Sequence, residues 1–74
     1  MEKISITQLK KELSALHIDY ASFCLIEKLS ACKIEIIIQW ASWLRDDIAE
    51  VAKHIESKYC VVAHRNNTYI ITSK

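Results

Sequence analysis

The sequence has no glycine and no proline in 74 residues. Helices in such a chain end without the glycine that usually follows them, and tight turns must use Asn, Asp, Ser or His. The missing glycines also exclude glycine-dependent phosphate loops, including the P-loop and the dinucleotide-binding fingerprint. The length of 74 residues predicts one small domain over 1–74. No residue pattern indicates a catalytic site, and we predict no cofactor and no enzymatic activity.

The C-terminal half predicts an amphipathic helix over 42–58. Its apolar face consists of four residues at helical spacing: Leu44, Ile48, Val51 and Ile55. Ser42 is the predicted N-cap. Asp46 and Asp47 near the helix start and Lys58 near its end complement the helix dipole.

Two β-rich runs, 60–65 and 68–73, follow this helix and predict a hairpin. Asn66-Asn67 lies between them and suits a two-residue primed turn, because Asn tolerates positive φ. The predicted register pairs Arg65 with Thr68, His64 with Tyr69, Ala63 with Ile70 and Val62 with Ile71.

The N-terminal half predicts two helices, preceded by a short edge strand over 1–4. The first begins after Ser5, which has capping-box spacing to Gln8, and ends around 16–18. The second runs over 19–31 with Asp19 as its cap. Its apolar stripe is Phe23, Ile26 and Leu29. Together the two helices form the αα-corner used in helix-turn-helix units.

The segment 33–40 predicts a strand, since isoleucine or tryptophan recurs at every second position. A helical stripe through Ile34, Ile37, Ile38 and Ala41 is the alternative. β-Branching favours the strand.

These patterns resemble a winged helix-turn-helix domain in two alternative frames. In one, 6–13 and 19–31 form the helix pair and 33–38 the following strand. In the other, 23–29, 36–41 and 47–58 are the helices and the hairpin is the wing.

The resemblance implies an α+β, winged-helix-like fold. Its parts are two N-terminal helices, a central strand or short helix, a long amphipathic helix and a C-terminal β-hairpin. The alternative fold is a three-stranded sheet with helices on one side. In both, the predicted core is Leu9, Leu13, Leu16, Phe23, Ile26, Leu29, Ile48, Val51, Ile55 and Val62.

The winged-helix resemblance implies a small, dimeric DNA-binding transcriptional regulator. The predicted nucleic-acid-binding residues are Lys53, His54, Lys58, His64, Arg65, Asn66 and Asn67. The net charge is only +1, from ten basic and nine acidic residues, so DNA contact requires a local patch.

The alternative function is a protein–protein interaction module, such as an inhibitor or assembly adaptor, without nucleic-acid binding. Near-zero net charge and 51% apolar composition favour it. Trp40 and Trp43 are its predicted anchors, because large aromatic residues are enriched at interface hot spots. At least one of the two is expected in the core.

The three cysteines, Cys24, Cys32 and Cys60, lack metal-ligand spacing, and we predict no metal site. Their odd number is typical of free thiols inside a cell. No apolar run approaches the roughly 18 residues that cross a bilayer. We therefore predict a cytoplasmic protein with no membrane contact.

Overall fold

A computed structural model describes residues 3–74, which form two α-helices and a four-stranded antiparallel sheet. The elements in order are α1 (Ile6–Ala15), β1 (Cys24–Ser30), β2 (Lys33–Ile38), α2 (Arg45–Lys58), β3 (Tyr59–Arg65) and β4 (Thr68–Ser73). Short 3₁₀ helices at Tyr20–Ser22 and Ser42–Leu44 precede β1 and α2. The chain therefore consists of two successive helix–hairpin units.

The sheet order is β1-β2-β4-β3, so each hairpin supplies one inner and one edge strand. The inner strands β2 and β4 pair directly, with Ile36 opposite Tyr69. The outer strands have seven residues each and the inner strands six, so the two hairpins are equal in length.

Both helices pack on one face of this sheet. Alternate residues of β2 and β4, among them Ile34, Ile36 and Ile71, are fully buried there. They share one cluster with apolar residues of the helices: Leu9, Leu13, Val51 and Ile55. Burial of each such side chain stabilises the fold by about 1.5–3 kcal/mol. We call the opposite face of the sheet the open face. Within residues 3–74, no second layer covers it.

Helix α1 begins as predicted. The Ser5 hydroxyl accepts a hydrogen bond from the Gln8 N–H at 3.1 Å, which satisfies one of the free donors of the first turn. The helix ends at Ala15, and His17 follows with a φ of 60°. Histidine thus takes the left-handed conformation that glycine often occupies after a helix.

The prediction of a second N-terminal helix over 19–31 is wrong, and with it the winged-helix-like fold class. Asp19 makes no side-chain cap, and only the 3₁₀ helix Tyr20–Ser22 follows it. The rest of the segment forms β1, an edge strand paired with β2. Tertiary pairing overrides local helical spacing here, because β2 presents an unpaired edge that an adjacent strand can satisfy.

The turn between β1 and β2 gives little sequence signal. Ala31-Cys32 contains none of the usual turn residues, but the Ser30 hydroxyl accepts a hydrogen bond from the Cys32 N–H at 3.2 Å. Both helix-turn-helix frames are excluded by this hairpin, since each requires 23–29 to be helical. The predicted three-stranded alternative has helices on one side but lacks β1.

The other predicted elements are largely confirmed. The strand over 33–40 is present as Lys33–Ile38. Helix α2 has Asp46 and Asp47 in its first turn and Lys58 in its last. It begins at Arg45, so the predicted Ser42 cap is wrong.

The C-terminal hairpin has three of its four predicted pairs. Val62 is not opposite Ile71, because a β-bulge places Val61 there instead. Asn66 has a φ of 55° and is the only turn residue in this hairpin with positive φ. That pattern is typical of a type II′ turn.

The N-terminal edge strand predicted over 1–4 falls partly outside the described residues, because Met1 and Glu2 are not described. Lys3 and Ile4 are not in a strand. The Ile4 N–H nevertheless donates to the Ala31 carbonyl at 3.0 Å, which fixes the start of the chain beside the β1–β2 turn.

Two predicted core residues are exposed: Leu29 by 49% and Val62 by 50%.

Because Leu29 is half-exposed on the edge strand β1, we expect Leu29→Ala to cost less than about 1 kcal/mol of unfolding free energy. Phe23→Ala, at a buried position beside β1, should cost about 3–5 kcal/mol. Urea denaturation followed by circular dichroism measures both. Equal losses of unfolding free energy would mean that Leu29 is as buried as Phe23, as the predicted helix over 19–31 requires.

Candidate protein-interaction surface

The connection between β2 and α2 exposes two large aromatic side chains. Trp40 is 55% exposed and Trp43 is 83% exposed. The expectation that at least one of them belongs to the core is therefore wrong. The connection is held in place by backbone bonds: the Gln39 N–H donates to the Phe23 carbonyl at 2.7 Å, and the Leu44 N–H to the Ala41 carbonyl at 3.0 Å.

Two adjoining cavities lie at this end of the sheet. The first, of about 390 Å³, is lined by Ser22, Phe23, Gln39, Trp40, Ala41, Trp43 and Leu44. The second, of about 500 Å³, shares Ser22, Phe23 and Gln39 with the first. It extends to Leu25, Ile37 and Asn67. We call these joined cavities the tryptophan groove.

The Asn66-Asn67 turn lies at the same end of the molecule. The Ile38 N–H donates to the Asn67 carbonyl at 2.8 Å, which fixes the hairpin tip against the end of β2. A third cavity, of about 410 Å³, lies beside the tip and is lined by Ala63, Arg65, Asn66, Thr68 and Ile70. The tip therefore adds amide groups next to the tryptophan groove.

The structure brings His64, Arg65, Asn66 and Asn67 together at the hairpin tip but separates them from Lys53, His54 and Lys58. Arg65, Asn66 and Asn67 are at the hairpin tip, whereas Lys58 precedes the opposite end of β3. Those ends are about 20 Å apart, at about 3.3 Å per strand residue. Lys53 is exposed on α2.

The two histidines of that predicted set contact other side chains of this chain. The His64 ring stacks on Tyr69, with centroids 4.0 Å apart. His54 Nε2 lies 2.8 Å from Glu12 Oε1. DNA binding stays a prediction, because these seven residues do not form one continuous basic surface.

Glu12, His54 and Tyr59 form a polar cluster that the sequence analysis missed. The Tyr59 hydroxyl donates to Glu12 Oε1 at 2.9 Å, and the Gln8 amide donates to Glu12 Oε2 at 3.1 Å. Glu12 and His54 are far apart in sequence, and each lies on the polar side of its helix. Only the packing of α1 beside α2 brings them together.

Burial acts to raise the pKa of Glu12, but the hydrogen bonds from His54, Gln8 and Tyr59 outweigh it and lower the pKa. Burial and the neighbouring Glu12 both raise the pKa of Tyr59. None of the three cavities described above is lined by Glu12, His54 or Tyr59. The cluster therefore ties α1 to α2 and β3, away from these three cavities.

The lowered pKa of Glu12 predicts a pH dependence of stability. The folded state holds the Glu12 proton less tightly than the unfolded state, whose pKa is near the ordinary 4.5. The Glu12 contribution is therefore complete well above pH 4.5 and is lost as the pH falls through the lowered value.

We expect Glu12→Gln to reduce stability at neutral pH and to flatten this acid-side loss. Thermal unfolding between about pH 3 and 7 measures it. Glu50→Gln, at an exposed position of α2, is the matched control and should leave the slope unchanged. If Tm changed with pH to the same extent in Glu12→Gln and in the unsubstituted chain, the stabilising role of ionised Glu12 would be contradicted.

The half-buried thiol of Cys24 is poorly suited to act as a nucleophile. Burial raises the pKa of the Cys24 thiol to about 11, which disfavours the nucleophilic thiolate at neutral pH. Residues 3–74 contain no disulfide, and they group no three His, Cys, Asp or Glu side chains in a way that could hold a metal ion. In the same part of the chain, no helix has both the length and the apolar character needed to cross a membrane.

Comparison of the chain with protein-family models, with curated proteins and with solved structures gave no significant match. The functional inference therefore depends on the geometry of the chain itself.

Proposed function

We propose that the chain is a protein-binding module whose tryptophan groove takes part of a partner protein. The observation that carries the proposal is the exposure of Trp43, 83%, beside a half-exposed Trp40 on an otherwise folded chain. Leu25, 54% exposed, continues the apolar surface at the far side of the groove.

The groove has the composition of an interface centre with a polar rim. Phe23, Trp40 and Trp43 supply apolar and aromatic surface, while Ser22 and Gln39 supply hydrogen-bonding groups. Tryptophan is among the residues most enriched at hot spots, where truncation costs about 2 kcal/mol or more. Contiguous exposed apolar surface on a small soluble domain is also typical of an interaction site.

The charges beside Trp43 favour a protein over DNA as the ligand of the groove. The residues beside Trp43 are Arg45, Asp46 and Asp47, so the flank of the groove carries more carboxylates than cations. Carboxylates repel phosphates, and DNA affinity depends mainly on phosphate neutralisation. A protein partner does not require a basic surface.

Site-specific photocrosslinking tests the proposal. A photoreactive phenylalanine analogue replaces Trp43 in one variant and exposed Lys53 in a control, and both are irradiated in extract of the native cells. We expect one defined crosslinked product from position 43 that position 53 does not give. Trp40→Ala, combined with the analogue at position 43, should reduce its yield.

Identical products from both positions would contradict the proposal. So would a product from position 43 that Trp40→Ala leaves unchanged, because the groove would then not be what the partner contacts.

A further inference from the structure

Strand directions place a group of lysines at the end of the molecule opposite the tryptophan groove. The lysines are Lys3, Lys28, Lys33, Lys58 and Lys74. Lys28 and Lys33 flank the β1–β2 turn, and Lys3 is beside it, because the Ile4 N–H bonds the Ala31 carbonyl at 3.0 Å. The Lys74 ammonium donates to the Ser57 carbonyl at 3.0 Å, next to Lys58. We call this surface the lysine end.

Carboxylates neutralise the lysine end only in part, because Glu27, Glu35 and Glu56 lie in the same half of the molecule as its five lysines. Within residues 3–74, the one ion pair closer than 4.0 Å is His54 with Glu12. Asp46 and Asp47, at the opposite end beside Trp43, are likewise outside any such pair in this part of the chain. Side chains of the described residues leave a formal charge of +2 at the lysine end. At the groove end, Arg45 and Arg65 against Asp19, Asp46 and Asp47 leave −1, so the two ends differ in sign.

We propose that the tryptophan groove of one copy of this chain binds the lysine end of a second copy. This inference rests on the proposed function and names the partner. Lysine ammonium groups bind over the faces of tryptophan rings, and their apolar stems cover aromatic surface. Asp46 and Asp47 then lie close to the incoming lysines. Leu29, 49% exposed near the lysine end, supplies an aliphatic group for the groove.

The two surfaces differ and lie at opposite ends, so the contact is heterologous and leaves one free surface of each kind on a dimer. Such contacts build open chains of copies unless the rotation between copies closes a ring. Pairing through the sheet edges is disfavoured, since β1 and β3 each contain a register irregularity. Lys28, opposite buried Ile34, also places a charge on the helix side of the β1 edge.

Average mass in solution, measured by light scattering over a range of concentrations, tests the proposal. We expect the mass to rise above the 8.6 kDa of one chain as concentration increases, and to fall as salt is added. Trp43→Ala and the double variant Lys28→Glu/Lys33→Glu should each stay at 8.6 kDa where the unsubstituted chain assembles. Circular dichroism verifies that both variants are folded.

Two controls match these changes without touching either end. Lys10→Glu/Lys53→Glu makes the same charge change on the exposed middle of the helices, and Val62→Ala trims a half-exposed residue in the middle of β3. Both should assemble like the unsubstituted chain.

Mixing the two non-assembling variants gives the decisive result. Trp43→Ala retains an intact lysine end, and Lys28→Glu/Lys33→Glu retains an intact groove. The mixture should therefore form a one-to-one complex of twice 8.6 kDa and no larger species.

An unsubstituted chain that stays at 8.6 kDa at every concentration would overturn self-association. So would a mixture that forms no complex. A monomeric chain that still gives a defined crosslinked product with a different protein from position 43 would overturn only this inference. The absence of both assembly and a crosslinked product would overturn the proposed function as well.

Discussion

We expect Ile36→Ala to lower the free energy of unfolding by about 2–5 kcal/mol, because it leaves a cavity in the core. Ile37→Ala, at the next position of β2, should cost only about 1 kcal/mol. Ile36 is fully buried beneath the helices, whereas Ile37 is half-buried on the open face. The substitutions are chemically identical, so the difference between them measures how one-sided the core is.

The loss at Ile36 is large for so short a chain. A 74-residue domain has about 4–11 kcal/mol of stability in total, at roughly 0.05–0.15 kcal/mol per residue. Each kcal/mol lost lowers Tm by about 4–8 °C. Thermal unfolding by far-ultraviolet circular dichroism is the suitable measurement, since both tryptophans lie outside the core. Similar Tm changes for the two variants would mean that the open face is covered in solution.

Trp43→Ala should have the opposite profile, with a large loss of affinity and little loss of stability. Truncating a hot-spot tryptophan costs about 2 kcal/mol or more, equivalent to a roughly 30-fold or greater rise in Kd for the captured partner. Because the side chain is 83% exposed, the unfolding free energy should change by less than about 0.5 kcal/mol.

Isothermal titration calorimetry and urea denaturation measure the two quantities on the same preparations. Trp43→Phe should recover part of the affinity because it restores an aromatic face. Val62→Ala should leave Kd unchanged. An unchanged Kd for Trp43→Ala would contradict the proposed role of the groove, and a large loss of stability would assign Trp43 to the core instead.

Local signals in the sequence predicted the elements whose geometry is decided locally. The Ser5 cap of α1 depends on Gln8, three residues away, and the second hairpin depends on Asn66 tolerating positive φ. Alternation of isoleucines on β2 reflects burial of one face, and that pattern is visible without knowing what covers it.

The β1 strand could not be predicted in the same way. Phe23, Ile26 and Leu29 have helical spacing, and the Ala31-Cys32 turn contains no characteristic turn residue. The strand forms because β2 requires a partner on that edge, which is a non-local constraint.

Non-local packing also explains the site residues that the sequence analysis misplaced or missed. His54 and Glu12 meet only when α1 and α2 pack on the same face. Trp40 and Trp43 were identified from residue type alone. Their exposure follows from Ala41 and Leu44, which anchor the connection while the indoles remain outside.

The most direct test of the interaction surface uses the fact that the chain has only two tryptophans. Their indole N–H groups give two signals in a ¹H–¹⁵N spectrum, and these can be followed as the partner captured at position 43 is added. We expect both signals to shift and their exchange with water to slow, while the amide signals of α1 stay in place. Unmoved indole signals, with shifts confined to the open face or to α1, would show that the partner binds elsewhere and would contradict the proposed function.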